Sequence, residues 1–175
     1  FLQTSGALVV SFSMAGVTGA DPVAVTVDGK VVTAAQSIGP YPDPDFKQLD
    51  SWVAIHADNT ATFYVGKTDC GQGTGTAFRQ MMSDELDIAY ADTNLVMGST
   101  DVTPDQGGSG GSDAIQRDGW PMRRVAAEAR RVLLEMASEK FSVLVEQLDV
   151  SAAVIALKSD PSRTVTYAEL IGDQR

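Results

Sequence analysis

The alternation of apolar and polar residues predicts two strands and then a helix in the first half of the chain. Trp52–His56 and Thr62–Val65 have the pattern of half-buried strands, and the short polar segment between them is typical of a hairpin turn. From about Ala77 to Ile88 the apolar residues recur at helical spacing. They are Phe78, Met81, Met82 and Leu86.

The second half of the chain continues the same mixture of short strands and helices. Leu95–Met97 and Ala153–Leu157 are predicted strands, and Trp120–Lys140 is the strongest predicted helix. Thr166 and Glu169 have capping-box spacing, which predicts a last short helix through Ile171. The predicted fold class is α+β, with a mixed sheet of short strands and two main helices packed on it.

The first 45 residues have a different character. Phe1–Gly19 is small and apolar, which fits either a signal-like segment or an extended N-terminal arm. Asp28-Gly29 between β-branched residues predicts a strand pair, and three prolines between residues 40 and 44 predict a stiff connector. We therefore expect an arm and connector over residues 1–45 and a compact domain over residues 46–175.

Composition and charge exclude several classes of function. The net charge of −10 and the sequence pI of about 4.4 argue against nucleic-acid binding, which requires Lys and Arg at the phosphates. Cys70 and His56 are the only cysteine and histidine, so an internal disulfide and a zinc site built from these residue types are excluded. His56 lies in a strand pattern, which favours a structural role over a place in a catalytic triad.

A glycine-rich segment, the first loop (Asp69–Thr76), lies between the second predicted strand and the helix. This order directs free backbone N–H groups at an anion, and glycine lets a ligand approach the backbone closely. Gln72 is its one long polar side chain and can both donate and accept hydrogen bonds. The loop is interpreted as holding the phosphate or the polar edge of a large cofactor. It lacks the Lys and Ser/Thr of a P-loop, which weakens a third hypothesis, a nucleotide-phosphate binder.

A second glycine-rich segment, the second loop (Asp101–Ser112), lies between a predicted strand and the long helix. Its Gly and Ser residues fit either a flexible linker or a binding loop presented by rigid elements. The arginines of the following helix fit a solvated face with ion pairs, or a face toward an acidic subunit or a cofactor phosphate. They are Arg123, Arg124, Arg130 and Arg131.

These segments together resemble a known family. Gly71-Gln72-Gly73 after a strand, Thr103-Pro104-Asp105-Gln106 before a Gly/Ser loop, and an alanine- and arginine-rich helix resemble the molybdopterin-binding large subunit of the xanthine dehydrogenase and aldehyde oxidase family. The closest likeness is to the N-terminal portion of the branch with isoquinoline 1-oxidoreductase-type β subunits. It runs from about Leu49 to Gly172. Phe1–Ala7 also resembles the tail of that branch's twin-arginine signal, which implies a periplasmic or periplasm-facing, membrane-associated protein, and otherwise a cytoplasmic one.

The resemblance implies that the chain is part of a molybdenum hydroxylase that oxidises an aldehyde or an N-heterocycle. Gln72 would hydrogen-bond the molybdopterin, Gly71 and Gly73 would shape the turn, and the second loop would line the pterin through Ser109, Gly110, Gly111 and Ser112. The cofactor would be molybdopterin with molybdenum, either plain or as the cytosine dinucleotide. The implied partners are the remainder of the molybdopterin subunit, an iron–sulfur subunit with or without a cytochrome c, and a small substrate.

The catalytic glutamate of the family lies in a later glycine-rich segment that has no counterpart here. We therefore predict no catalytic residue and no metal ligand in these residues, and no catalysis by the isolated chain. The chain is expected to be one part of a split large subunit or a fragment of a longer one. The alternative hypothesis is a non-catalytic assembly or binding module in which the Gly/Ser loops are connectors.

Overall fold

The computed structural model describes residues 7–8, 24–27, 30–33, 49 and 51–172. Strands β2 (Ala24–Val27) and β3 (Lys30–Thr33) pair antiparallel on either side of Asp28-Gly29, as the sequence predicted. The predicted signal-like segment and proline connector otherwise lie outside the described residues.

The main sheet has four strands in the order β1 (Ala7–Leu8), β4 (Val53–His56), β5 (Ala61–Val65) and β6 (Thr93–Met97). The β1–β4 and β4–β5 pairs are antiparallel, whereas β5 and β6 are parallel. A parallel pair needs a crossover connection, and helix α1 (Thr74–Leu86) supplies it. The predicted α+β class with a mixed sheet is confirmed.

Two main helices, α1 and α2 (Gly119–Phe141), pack against each other beside this sheet. Helix α1 begins at Thr74, earlier than the predicted Ala77. The residue before it, Gly73, has a left-handed conformation with φ 78°, so the helical conformation starts directly after Gly73. It ends at Leu86 because Asp87 adopts a left-handed conformation with φ 58°. The side chains that these elements bury completely include Phe63, Val65, Phe78, Met82, Met122 and Val125.

A third sheet contains β7 (Leu148–Ser151), β8 (Val154–Leu157) and β9 (Asp160–Thr166), and helix α3 (Tyr167–Gly172) follows it. The sequence pattern predicts β8 and α3 but neither β7 nor β9.

The turn between β7 and β8 explains why β7 was missed. Ala152 and Ala153 both have positive φ, 51° and 62°, a conformation that Gly or Asn usually supplies in a two-residue hairpin turn. Asp87 holds the turn in place: its carboxylate accepts a bond of 3.2 Å from the Ala152 N–H, and its carbonyl accepts one of 2.7 Å from the Ala153 N–H. Tertiary contacts therefore stabilise a turn that the local sequence does not favour.

Tyr167 connects the third sheet to the end of α1. Its side chain is completely buried, and its hydroxyl donates a hydrogen bond of 2.7 Å to the carbonyl of Leu86. Burial raises the pKa of the Tyr167 phenol well above its ordinary value. Asn59 adds a second connection, because its side chain accepts a bond from the Ala168 N–H and donates one to the Ala153 carbonyl.

We expect Tyr167→Phe to lower the free energy of unfolding by about 1–3 kcal/mol, because the buried Leu86 carbonyl loses this donor. Urea denaturation should show a lower midpoint with an unchanged slope. The matched control is Tyr90→Phe, on a side chain that is 41% exposed. Equal midpoints for the two variants would contradict the prediction.

Candidate functional site

The first and second loops lie side by side because they follow neighbouring parallel strands. The first loop comes shortly after β5, and the second comes shortly after β6. The carboxyl ends of parallel strands meet at one edge of a sheet, which is the usual place for a ligand in such folds. Segments that are far apart in the sequence thus form one surface.

Hydrogen bonds join the second loop to the segment between β5 and the first loop. The Gly66 N–H donates to Gln106 Oε1 at 2.7 Å, and the Gln106 side chain is buried. The Thr68 N–H donates to Ser109 Oγ, also at 2.7 Å. The second loop is therefore attached along the segment that leads into the first loop, which argues against a free linker.

The contact at Gly66 depends on the absence of a side chain. A Cβ at this position would lie 1.8 Å from the Pro104 carbonyl oxygen and 3.0 Å from the Gln106 nitrogen. Any other residue would push the second loop away from β5. The Thr103–Gln106 segment, which carried part of the sequence resemblance, thus packs the loops together.

A buried ion pair lies next to the second loop. Lys67 Nζ is 3.1 Å from Asp118 Oδ2 and donates to the carbonyl of Gly108 at 3.0 Å. The side chains of Lys67 and Asp118 are 1% and 7% exposed. Asp118 ends a π-helical turn, Ala114–Asp118, that leads into α2. One ammonium group therefore joins the exit of β5, the second loop and the start of α2.

Three backbone N–H groups of the first loop are already occupied by the chain's own carboxylate. Asp69 accepts hydrogen bonds from the amides of Gly71 (2.8 Å), Gly73 (3.1 Å) and Gly75 (3.0 Å). These bonds, that of Gly75 first, lower the pKa of the Asp69 carboxyl. A second anion would meet this negative charge, so the structure disfavours a phosphate at the first loop and favours the polar edge of a ligand.

Gln72 lies exposed beside this carboxylate with its amide folded over the loop. Its Oε1 accepts a bond of 2.7 Å from the Cys70 N–H, while its Nε2 makes two contacts of 3.3 Å, with the Thr68 carbonyl and Thr74 Oγ1. Hydrogen bonds as long as these are weak, so Nε2 can readily give them up to donate to an acceptor on a ligand. A Cβ at Gly71 or Gly73 would meet no other heavy atom within 4 Å, so the turn faces open space.

The second loop presents the rest of the predicted site. The Ser109 hydroxyl accepts the Thr68 N–H, so this residue positions the loop as well as facing solvent. Gly110, Gly111 and Ser112 are exposed, and the last two have positive φ values of 66° and 56°. The structure thus brings Ser109 to the base of the first loop and leaves the three following residues available at the surface.

The arginines of α2 fit the ion-paired interpretation. Arg123 hydrogen-bonds Glu85 on α1, Arg130 lies 3.4 Å from Asp87, and Arg131 pairs with Glu128 on its own helix. Exposed pairs of this kind contribute little to stability. These partners favour a solvated face over a phosphate site.

Several other features limit the chemistry of the site. His56 Nε2 lies 2.8 Å from Thr62 Oγ1 on the neighbouring strand, which fits the structural role expected for it. Across the described ranges, no three His, Cys, Asp or Glu side chains converge as a metal site. Among the same residues, no helix combines the length and apolar character needed to cross a bilayer.

Sequence reasoning missed the residues that hold the loops together. Lys67 and Asp118 lie far apart in the chain, and neither belongs to a recognisable spacing. The sequence marks Gln106 only as part of a motif and does not indicate its bond to Gly66. A lysine immediately after a predicted strand is too common to have signalled a buried ion pair.

Comparison with known proteins identifies relatives of this chain. The family model described as a molybdopterin cofactor-binding domain matches residues 24–175. One subunit of the nicotinate dehydrogenase of Pseudomonas putida is 29% identical over 133 residues, 76% of this chain and 11% of that protein. The beta subunit of isoquinoline 1-oxidoreductase from Brevundimonas diminuta is 30% identical over 127 residues, 69% of this chain and 16% of that protein.

Solved structures share the fold. Reconstituted CO dehydrogenase from Oligotropha carboxidovorans matches with a TM-score of 0.59 and 24% identity, over 67% of this chain and 15% of that one. Quinoline 2-oxidoreductase from Pseudomonas putida 86 matches with a TM-score of 0.58 and 22% identity, over 69% and 15%. The chain thus spans a small part of the length of each relative.

We expect Gly66→Ala to destabilise the protein by about 1–3 kcal/mol, because the new Cβ overlaps the Pro104 carbonyl. Thermal denaturation measures the loss. The matched control is Gly110→Ala, where a Cβ meets no heavy atom within 4 Å and φ is not positive. If Gly66→Ala had the same melting temperature as Gly110→Ala and the wild type, the close packing inferred at Gly66 would be contradicted.

The first loop should lose order in acid as Asp69 becomes protonated. The pKa of Asp69 is lowered in the folded protein. The stability that this carboxylate contributes is therefore complete above the ordinary pKa of 3.8 and is lost as the pH falls through the lower folded-state pKa. NMR should show the amide shifts of Gly71, Gly73 and Gly75 titrating together below pH 3.8.

The Asp69→Asn variant tests this assignment. These glycine amides should then stop titrating, while the Thr60 amide, which donates to Asp58, should titrate as before. Persistent titration of the Gly71, Gly73 and Gly75 amides in the variant would show that another group controls the loop.

Proposed function

This chain belongs to the molybdopterin cofactor-binding domain family, and on that premise we propose that its first and second loops hold the pterin of a molybdenum hydroxylase. The observation that carries the proposal is the placement of both loops at the carboxyl ends of β5 and β6, with the amide of Gln72 exposed between open glycines. The residues fit the group, because a pterin edge alternates hydrogen-bond donors and acceptors and a Gln amide offers both.

The division of charge supports different roles for the two loops. Asp69 occupies the first-loop amides, so Gln72 there suits a neutral polar edge. The Gly107–Ser112 part of the second loop presents hydroxyls and backbone groups at Ser109, Gly110, Gly111 and Ser112 and has no carboxylate of its own, and the adjoining Asp113 is paired with Arg117. We assign the more polar and anionic parts of the cofactor to this side, including the nucleotide if the cofactor is the cytosine dinucleotide form.

The bound cofactor would supply molybdenum chemistry that hydroxylates a carbon of the substrate with oxygen from water. The residues of this chain would bind and orient the pterin, and we assign none of them a catalytic role. The general base is proposed to belong to the remainder of the molybdopterin subunit. Iron–sulfur clusters on a partner subunit, with or without a cytochrome c, would take the electrons.

The substrate class proposed is an N-heterocycle rather than an aldehyde. The support comes from the names of relatives, because nicotinate and isoquinoline are both N-heterocycles. A periplasm-facing location remains part of the proposal and depends on the signal-like character of residues 1–7.

Gln72→Ala should lower the pterin and molybdenum content of the purified complete protein about tenfold, the effect of losing roughly 1.4 kcal/mol of binding. The protein should be made in cells that synthesise the cofactor, and molybdenum should be measured by mass spectrometry and pterin by fluorescence after oxidation. The matched control is Gln80→Ala, on the exposed surface of α1.

The same experiment separates the proposal from its rival. A Gln72→Ala protein with the cofactor content of the Gln80→Ala protein would contradict a cofactor-holding role for the first loop. The loops would then be connectors in a non-catalytic assembly module.

A further inference from the structure

The buried pair of Lys67 and Asp118 has no role in the proposed ligand contacts. Both side chains are almost completely removed from solvent, and the pair is 3.1 Å long. Burying two charges carries a desolvation cost that their attraction often only offsets, so well-packed apolar residues commonly serve stability equally well. The position of the pair, rather than its energy, therefore calls for a reason.

The pair joins a rigid part of the fold to the second loop. Asp118 directly precedes Gly119, where a Cβ would lie 3.2 Å from Met81 Cε on α1, so the start of α2 packs closely on α1. Lys67 follows β5 by two residues and donates to the Gly108 carbonyl at 3.0 Å. The ammonium group is thus fixed by the core and in turn fixes the residue that precedes Ser109.

We propose that Lys67 and Asp118 are positioning residues of the pterin site, which hold the second loop on the first before the cofactor binds. The inference rests on the proposed function of the two loops. It adds that the Gly108 contact, together with the bond between Thr68 and Ser109, sets the place of the Ser109–Ser112 segment.

Preassembly matters here because glycine-rich segments lose much conformational freedom when a ligand orders them. A loop held in place beforehand has already lost that freedom, and the cofactor then binds more tightly. Loss of the Lys67 contact with Gly108 should therefore weaken pterin retention, even though neither Lys67 nor Asp118 is proposed to contact the pterin.

The test uses the complete protein with the double variant Lys67→Met/Asp118→Leu, which removes both charges without leaving one of them unpaired. In the cofactor-free protein, we expect the Thr68 amide to exchange with solvent at least tenfold faster than in the wild type. In the loaded protein, we expect pterin to be released at least tenfold faster on dilution.

The control is Tyr167→Phe, which removes a buried hydrogen bond in the connection to the third sheet and should leave both rates unchanged. It separates a positioning effect from a general loss of stability. If the double variant does not fold, Lys67→Arg takes its place. Arginine keeps the positive charge but moves the N–H donors away from the position from which Lys67 reaches the Gly108 carbonyl. It should also release pterin faster, and wild-type release would overturn the inference.

The remaining outcomes distinguish this inference from the proposed function. An unchanged exchange rate of the Thr68 amide in the double variant would overturn the claim that Lys67 and Asp118 hold the second loop in place, whatever happens to the pterin. Faster exchange with wild-type pterin release, in a protein whose Gln72→Ala variant does lose pterin, would overturn the positioning role and leave the function intact. Wild-type pterin content in both Gln72→Ala and the double variant would overturn the proposed function and this inference with it.

Discussion

The parallel pairing of β5 and β6 is the constraint on which the site depends. Their register, from Ala61 opposite Thr93 to Val65 opposite Met97, brings the two strand ends to one edge of the sheet. Helix α1 provides the return that a parallel pair requires. Two glycine-rich segments that are far apart in the chain then leave the sheet as neighbours, and Gly66, just before the first loop, packs closely on the second-loop backbone at Pro104 and Gln106.

Among the described residues, the charged groups around this edge leave it without a free cation for a ligand. Asp69 accepts hydrogen bonds from amides of the first loop and of the first turn of α1, and Lys67 is buried against Asp118. What the surface then offers is an amide, two hydroxyls and backbone groups on open glycines. Such groups recognise a ligand by the geometry of its donors and acceptors, which suits a pterin edge better than an isolated phosphate.

The third sheet shows how much local structure depends on distant contacts. Ala152 and Ala153 hold left-handed conformations that alanine adopts at a cost of about 1–2 kcal/mol each. Asp87 bonds both of their amides from the end of α1, while Tyr167 and Asn59 attach neighbouring segments. The hairpin is therefore a product of its docking on α1, and its stability is coupled to that of the main core.

The sequence by itself determined the elements whose signal is local. The apolar spacing of α1 and α2, the alternation of β4 and β5, and the capping box of α3 each identified an element within a few residues of its observed bounds. The strand–loop–helix order around Gln72, and the resemblance carried by both loops, also led to the family that the comparisons confirm.

Tertiary structure alone decided how these elements meet. The β7 strand, the Lys67–Asp118 pair, the bond of Gln106 to Gly66 and the occupation of the first-loop amides by Asp69 leave no periodic trace in the chain. Some of these features depend on atoms that only folding brings together. Others depend on which of several possible acceptors a loop amide bonds in the folded protein. Residue spacing records neither, because hydrophobic periodicity specifies which face of an element is buried and not which polar partner lies across from it.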